Sequence, residues 1–168
     1  RISMMSIRFG ILTLSDRSAR NERVDTSGSA LADLILAQNW LVAKRVILPD
    51  EEPAIRATLI EWADSGNFDV ILTTGGTGFA PRDVTPEATR SVIQRDAPGL
   101  AEIMRSEGLK KTPHAMLSRA VAGIRGRTLI VNLPGSPKGA VENLQTILPV
   151  LPHAVQLLTD DPGSDALH

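Results

Sequence analysis

Apolar residues fall in short blocks along this chain, separated at regular intervals by polar, proline or glycine-containing breaks. Arg8–Leu14 (R-F-G-I-L-T-L) is a compact apolar run ending in Ser15-Asp16-Arg17, the pattern of a buried strand entering a polar loop. Asp25, Thr26 and Ser27 are N-cap residues for a helix in which Leu31, Leu34 and Ile35 repeat at helical spacing as far as Asn39. Leu41–Leu48, carrying Val42, Val46 and Ile47, predicts a second strand. Pro49-Asp50 breaks it, and Ile55, Leu59 and Trp62 mark the buried face of a second helix. A third strand over 69–74 runs into Gly75-Gly76-Thr77-Gly78, after which Thr85-Pro86 supplies an N-cap and first position for a helix through Ile93.

The stretch 98–113 reads as a further helix with a loop, and 127–133 (R-T-L-I-V-N-L) as a strand ended by Pro134-Gly135. Ser136-Pro137 repeats the cap signature, and Val141, Leu144, Leu148, Leu151, Val155 and Leu158 form one stripe that Pro149 and Pro152 must kink or divide. The tail over 160–168 is polar and expected to fray, and Met4 or Met5 is a candidate start. Strands alternating with helices imply right-handed crossovers and a mostly parallel sheet covered on both faces, an α/β fold. No repeat or linker divides the chain, so residues 1–168 are expected to form one domain with a core at about 7–159.

Composition narrows the chemistry more than the fold. The 168 residues carry 18 Lys+Arg against 19 Asp+Glu, a formal net charge of −1, which argues against a general polyanion binder. Aromatics are 3% with no Tyr, so platforms for stacking nucleic-acid bases are scarce. The absence of Cys removes disulfides, thiolate catalysis, zinc ribbons and iron–sulfur clusters together. No apolar stretch approaches the roughly 18–20 residues of a membrane span, and 1–6 lacks the apolar segment of a secretory signal. A cytoplasmic, membrane-free setting is the expectation.

In open α/β sheets ligands collect at the carboxyl ends of the strands. Four features fall there: Ser15-Asp16-Arg17, Pro49-Asp50-Glu51, the loop 74–83 and the stretch 132–139. In the loop, closely spaced glycines let backbone N–H groups converge on one centre ahead of a helix N-terminus, an anion nest. A tight turn explains one glycine or two; it does not explain three interleaved with Thr74 and Thr77 and followed by Arg82 and Asp83. The loop is neither a Walker A loop, lacking Gly-Lys-Ser/Thr, nor a G-x-G-x-x-G fingerprint. Asp83 beside a phosphate cradle is useful once a divalent cation bridges the two, with Asp50 as second carboxylate; alone, Asp50 reads as an N-cap. Asn132-Leu133-Pro134-Gly135-Ser136-Pro137-Lys138 is either a second anion site or a turn with a capped helix. His114, His153 and His168 are scattered, with no metal-site or triad spacing.

The stretch 73–89, T-T-G-G-T-G-F-A-P-R-D-V-T-P-E-A-T, resembles the signature of the molybdopterin adenylyltransferases, the MogA/MoaB family and gephyrin-type G domains. L-T-L-S-D-R at 12–17, D-T-S-G at 25–28, P-D-E at 49–51, L-S-R-A-V-A-G-I-R-G at 117–126, L-I-V-N-L-P-G-S-P-K-G at 129–139 and L-P-V-L-P-H-A at 148–154 follow in the family's order. Together they cover nearly the whole chain.

The resemblance implies a three-layer α/β/α sandwich of the MogA-like fold, a homotrimer, and an activity late in molybdenum cofactor biosynthesis. ATP and Mg²⁺ would be used to adenylylate the terminal phosphate of molybdopterin, and a separate molybdate-insertion enzyme would take the product. By similarity, Asp50 and Asp83 would be catalytic and hold Mg²⁺ through the ATP phosphates. Thr74, Gly75, Gly76, Thr77, Gly78, Arg82, Pro134, Gly135, Ser136 and Lys138 would bind nucleotide phosphates. Ser15, Asp16, Asp25, Ser27, Gly28, Ser118 and Arg119 would line the molybdopterin side. Relatives vary around Lys138, and some carry serine at the position of Gly108. A non-catalytic molybdopterin-binding scaffold and a nucleotide pyrophosphohydrolase are the alternatives that fit the same residues.

Overall fold

The computed structural model describes residues 6–159; the candidate start and the polar tail lie outside them. Four strands, β1 (Arg8–Leu14), β2 (Leu41–Leu48), β3 (Val70–Thr74) and β6 (Thr128–Leu133), pair in parallel. Two short ones, β4 (Arg95–Asp96) and β5 (Ala122–Arg125), add antiparallel to the β6 side, giving the order β2-β1-β3-β6-β5-β4. The chain leaves β1 for β2 and returns to β3 on the opposite side of β1. The strand order therefore reverses between β1 and β3, the crevice at which α/β sheets bind ligands.

Both faces are covered, and the strands alternate between two apolar clusters. Phe9, Ile11, Val70, Leu72, Leu129 and Val131 face α2 (Thr26–Ala37), α6 (Pro137–Ile147) and α7 (Leu151–Leu158). Leu12, Leu14, Ile71 and Ile130 face α3 (Glu52–Asp64) and α4 (Thr85–Val92). Gly10 belongs to the second face, where a Cβ would come 2.8 Å from the Trp62 ring; its absence lets the indole lie on β1 and stack on Phe68 at 4.9 Å. The 3-10 turn Leu148–Val150 separates α6 from α7, as Pro149 and Pro152 require. The buried stripe there runs Ala140, Leu144, Ile147, Leu151, Val155, so Val141 stands at its edge.

Asp25 and Ser136 cap α2 and α6, accepting from the Gly28 N–H at 2.9 Å and the Gly139 N–H at 3.0 Å. Two expected caps are different. Thr85 is the first helical residue of α4, after Val84, and its hydroxyl donates to the Gly75 carbonyl at 2.9 Å. Asp50 does not cap α3: Glu51 holds that position without a side-chain bond, and Asp50 turns toward the β1 end. The short strands β4 and β5, the four-residue helix α1 (Asp16–Ala19) and the 3-10 turn Pro113–Leu117 carry too little periodicity for the hydrophobic pattern to announce them. The helix α5 (Pro98–Leu109) is the expected one.

On the α3/α4 face one polar cluster sits among the apolar residues. The Asn132 amide donates to the Thr73 hydroxyl at 3.0 Å and the Thr89 hydroxyl at 2.9 Å, and its carbonyl oxygen accepts from the Val121 N–H at 3.1 Å. Thr73, Thr89 and Asn132 are fully buried. One side chain thus ties β6, β3, α4 and the entry to β5 beneath the strand ends. Asn132→Leu is expected to lower unfolding stability by about 3 kcal/mol, since each buried polar group left unpaired costs about 1–3 kcal/mol. Urea denaturation followed by circular dichroism checks this as a lower midpoint at unchanged slope.

Candidate active site

Beyond Thr74 the chain turns through Gly75 at φ 106° and Gly76 at φ 69°, conformations that L side chains rarely adopt. A Cβ on Gly75 would run into the Leu14 carbonyl oxygen, and one on Gly76 into the Thr85 hydroxyl. The turn is fastened on three sides. The Gly75 N–H donates to the Leu133 carbonyl at 3.1 Å, the Thr74 hydroxyl to the Pro134 carbonyl at 2.7 Å, and the Thr85 N–H to the Gly76 carbonyl at 3.1 Å. Gly135 lets the β6–α6 loop close on it, since a Cβ there would lie 3.3 Å from Gly75 Cα. The N–H groups of Gly76, Thr77 and Gly78 donate to no protein group among the described residues. Held rigid and unpaired, they are left free to receive an acceptor from outside the protein, which is what an anion nest requires.

Around this turn opens a cleft of about 870 Å³ at the carboxyl ends of β1, β2 and β3. Asp50 and Asp83 line it, with Thr74, Gly75, Gly76, Gly135 and Ser136. Ser15, Asp16, Asp25 and Ser27 also line this cleft. Gly28 stands behind Asp25, where a Cβ would strike that carboxylate. A smaller cavity of about 330 Å³ adjoins it, between the glycine loop, α5 and the start of α6. Thr77, Gly78, Pro134 and Ser118 line the smaller cavity, and Ser136 lines both. Residues expected together on the molybdopterin side therefore fall in two different spaces.

The acidic cluster is cross-bonded. The Asp16 N–H donates to Asp50 Oδ2 at 3.0 Å, and the Asp50 N–H donates to Asp16 Oδ1 at 2.9 Å. Arg82, from the far end of the glycine loop, donates to Asp16 from Nε at 3.0 Å and from Nη2 at 2.8 Å. Asp50 Oδ1 is buried with no hydrogen-bond partner. Burial pushes the Asp50 carboxyl above the ordinary carboxylate range, and the charges of Asp16 and Asp83 add to the rise. Asp16 is held below that range, chiefly by its bonds from Arg82 and then by the Asp50 N–H. Asp83 Oδ2 accepts from the Ala80 N–H at 3.0 Å, bracing the loop's return.

Four expected ligand residues line neither space: Gly28, which stands behind Asp25, and Arg82, Lys138 and Arg119. Arg82 points at Asp16, and Lys138 is an exposed residue in the first turn of α6. Arg119 spends its guanidinium on the loop itself, donating to the Gly78 carbonyl at 2.8 Å, the Asp83 carbonyl at 2.7 Å and the Glu87 carboxylate at 2.6 Å. Its N–H donates to the Thr77 carbonyl at 2.8 Å, so the segment after the 3-10 turn is stitched along the glycine loop. The smaller cavity's remaining wall, including Ala101, Met104, Gly108 and Leu117, was not among the candidates. Apolar residues at helical spacing read as core, and no local signal marks them as lining a cavity.

Asp50 has a sign that can be measured. A carboxyl whose folded pKa is raised binds a proton more tightly when folded, so ionising it costs stability as pH rises above its unfolded value. Asp50→Asn keeps an acceptor for the Asp16 N–H and removes that charge. The variant is expected to melt at a higher temperature than the parent at pH 7. The gain should shrink to nothing below about pH 4, where an unfolded aspartate is itself protonated. Thermal melts of both proteins from pH 3.5 to 8 read the difference.

Comparison with known proteins identifies the family. The family model described as “Probable molybdopterin binding domain” matches residues 10–153. The molybdopterin adenylyltransferase of Helicobacter pylori is 43% identical over 157 residues, covering 92% of this chain and 89% of that protein. The molybdenum cofactor synthesis protein cinnamon of Drosophila melanogaster is 49% identical over 161 residues, and the chain spans 26% of that protein's length. The crystal structure of the molybdopterin biosynthesis enzyme MoaB from Thermus thermophilus superposes with a TM-score of 0.87 at 57% identity, covering 92% of this chain and 98% of that one. A six-stranded sheet with the glycine turn at its switch point, matched along nearly its whole length, makes this chain a member of the molybdopterin-binding domain family of molybdenum cofactor biosynthesis.

Proposed function

We propose that this chain is a molybdopterin adenylyltransferase that joins AMP from ATP to the terminal phosphate of molybdopterin. The observation that carries the reading is the pairing of Asp50 Oδ1, a buried carboxylate oxygen without a partner, with the unpaired N–H groups of the glycine turn. Anions are met by the N–H groups, while the carboxylate needs a cation. Among the described residues no group of three or more His, Cys, Asp or Glu is placed to hold a metal alone. A divalent cation would therefore share Asp50 and Asp83 with the oxygens of a polyphosphate, the pattern Mg²⁺ favours. Bound there, it would neutralise charge developing on the phosphates.

The chain's own groups position the partners. The N–H groups of Gly76, Thr77 and Gly78 would hold the polyphosphate of ATP in the larger cleft. Thr74 and Gly75 fix the loop, and Gly135 and Ser136 close it from the β6 side. Molybdopterin would enter the smaller cavity past Ser118, its phosphate meeting the nucleotide where the two spaces join at Ser136. An oxygen of that phosphate attacks the α-phosphorus of ATP, the α–β bridging P–O bond breaks, and pyrophosphate leaves with the electron pair. No protein nucleophile or proton transfer is required, so positioning and charge neutralisation supply the rate. The name carried by the Helicobacter pylori relative supports the same reaction.

The finer setting is part of the same reading: a homotrimer in the cytoplasm whose product passes to a separate molybdate-insertion enzyme. No helix among the described residues is long and apolar enough to cross a membrane.

Pyrophosphate release from Mg·ATP, measured with and without molybdopterin, tests the proposal. Release that depends on molybdopterin supports it. Equal release without the acceptor indicates a pyrophosphohydrolase, and tight molybdopterin binding without release indicates a binding protein. Asp83→Asn and Asp50→Asn are expected to lower molybdopterin-dependent release about a hundredfold or more, the scale of losing one preorganised electrostatic contact.

A further inference from the structure

We propose that Arg82 is a positioning residue that acts through Asp16 to keep Asp50 Oδ1 aimed at the glycine turn, and that it does not contact the nucleotide phosphates itself. This rests on the reading above in giving Asp50 the cation. The geometry comes from three segments far apart in sequence. Arg82 ends the glycine loop, Asp16 opens α1 after β1, and Asp50 follows β2. The planar guanidinium grips Asp16 with two bonds, from Nε and Nη2. Gripped Asp16 holds Asp50 at both ends, accepting its N–H on Oδ1 and offering its own N–H to Oδ2. Every acceptor of the Asp16–Asp50 pair is then occupied except Asp50 Oδ1.

Removing the grip alters this balance. Asp16 and Asp50 are both carboxylates, and Arg82 is the cation bonded to the pair. Without it, the two charges would separate, and the turns after β1 and β2 would lose the bonds that register them. For Arg82 to reach a phosphate, it would first have to give up two charge-assisted bonds, whereas the nest N–H groups have none to lose. The Arg82 side chain is 60% exposed and that of Asp16 22%, so their pair adds little to global stability. Its effect is local alignment. Lysine cannot replace the fork at such a site, although it can replace arginine as a simple charge for phosphate.

Arg82→Gln and Arg82→Lys separate the two roles. In ligand-free protein, hydrogen exchange at the Asp16 and Asp50 amides is expected to quicken about tenfold in both variants. The melting temperature should stay close to that of the parent. In the AMP-transfer assay kcat should fall about tenfold or more in both while KM for Mg·ATP moves less than about threefold, the mark of lost alignment. Asp16→Asn combined with Arg82→Gln should be no slower than Asp16→Asn alone, since both sever one chain of contacts. Parent-like amide exchange overturns the proposal. So does a raised KM at constant kcat that Arg82→Lys restores, and so do additive losses in the double variant. The exchange measurement involves no substrate, so it decides the positioning role even if the chain transfers no AMP.

Discussion

At the Gly75-Gly76 turn the backbone passes between the Leu14 carbonyl and the Thr85 hydroxyl with no room for a side chain on either residue. That clearance sets the rest of the site. It lets β3 end against β1, so the loops that follow both strands share one cleft. It leaves the next N–H groups without a protein acceptor among the described residues, because the turn's own bonds are made to Leu133 and Thr85. It also brings Gly76 within contact distance of Asp50 Oδ1, 3.2 Å from where a Cβ would stand. Unpaired N–H groups and an unpartnered carboxylate oxygen are thereby placed side by side by one backbone reversal.

Such a turn needs support from every side, and the supports are polar. Below it, Asn132 fastens Thr73 and Thr89 inside an otherwise apolar face. Beside it, Arg119 holds the Gly78 and Asp83 carbonyls, so the loop's span is fixed at both ends by one guanidinium. Across the cleft, Arg82 holds the acidic pair. Against this backing stands Asp50, a carboxylate that burial disfavours and that lacks a partner for one oxygen. Strain of this kind persists where the surrounding structure over-determines it, and it is concentrated where charge is to be bound. Stability and binding thus draw on the same residue in opposite directions.

The charge balance follows the same logic. A net charge of −1 gives the chain as a whole no long-range attraction for polyphosphates. In the proposed reading, anion affinity would instead reside in the unpaired N–H groups, which carry no formal charge, and in a cation that the carboxylates would share. Three arginines around the cleft are committed to protein acceptors, Arg82 to Asp16, Arg45 to Asp25 at 3.3 Å and Arg119 to the loop, whereas Arg17 and Arg23 line it without a side-chain bond among the described residues. Those three serve as internal fasteners.

The layered α/β architecture could be seen in the chain because its signals are local. Short unbroken apolar runs in β1 and β3, a period near 3.6 in α2 and α3, and caps at Asp25 and Ser136 that bond three residues ahead are each contained within a few residues of sequence. The glycine loop and the convergence of four loops at the strand ends were legible for the same reason. Strands β4 and β5 were not, because two to four residues hold no period and exist only through pairing with β6 and each other. The acidic residues divide along the same line. Their types and their place after strands were plain, but Asp50 looked like a cap because its neighbours in sequence include a helix start. Only the pairing of β1 with β2 brings Asp16, 34 residues away, to its carboxylate. Arg82 and Arg119 were likewise expected to meet a ligand, Arg119 by resemblance alone, and their acceptors, 66 and 41 residues distant, appear only when the loops close on the sheet. Residue type and local spacing fix what chemistry a segment can offer. Which partner a long polar side chain takes is decided by contacts between remote segments, since hydrogen bonds act over about 3 Å and sequence separation says nothing about that distance.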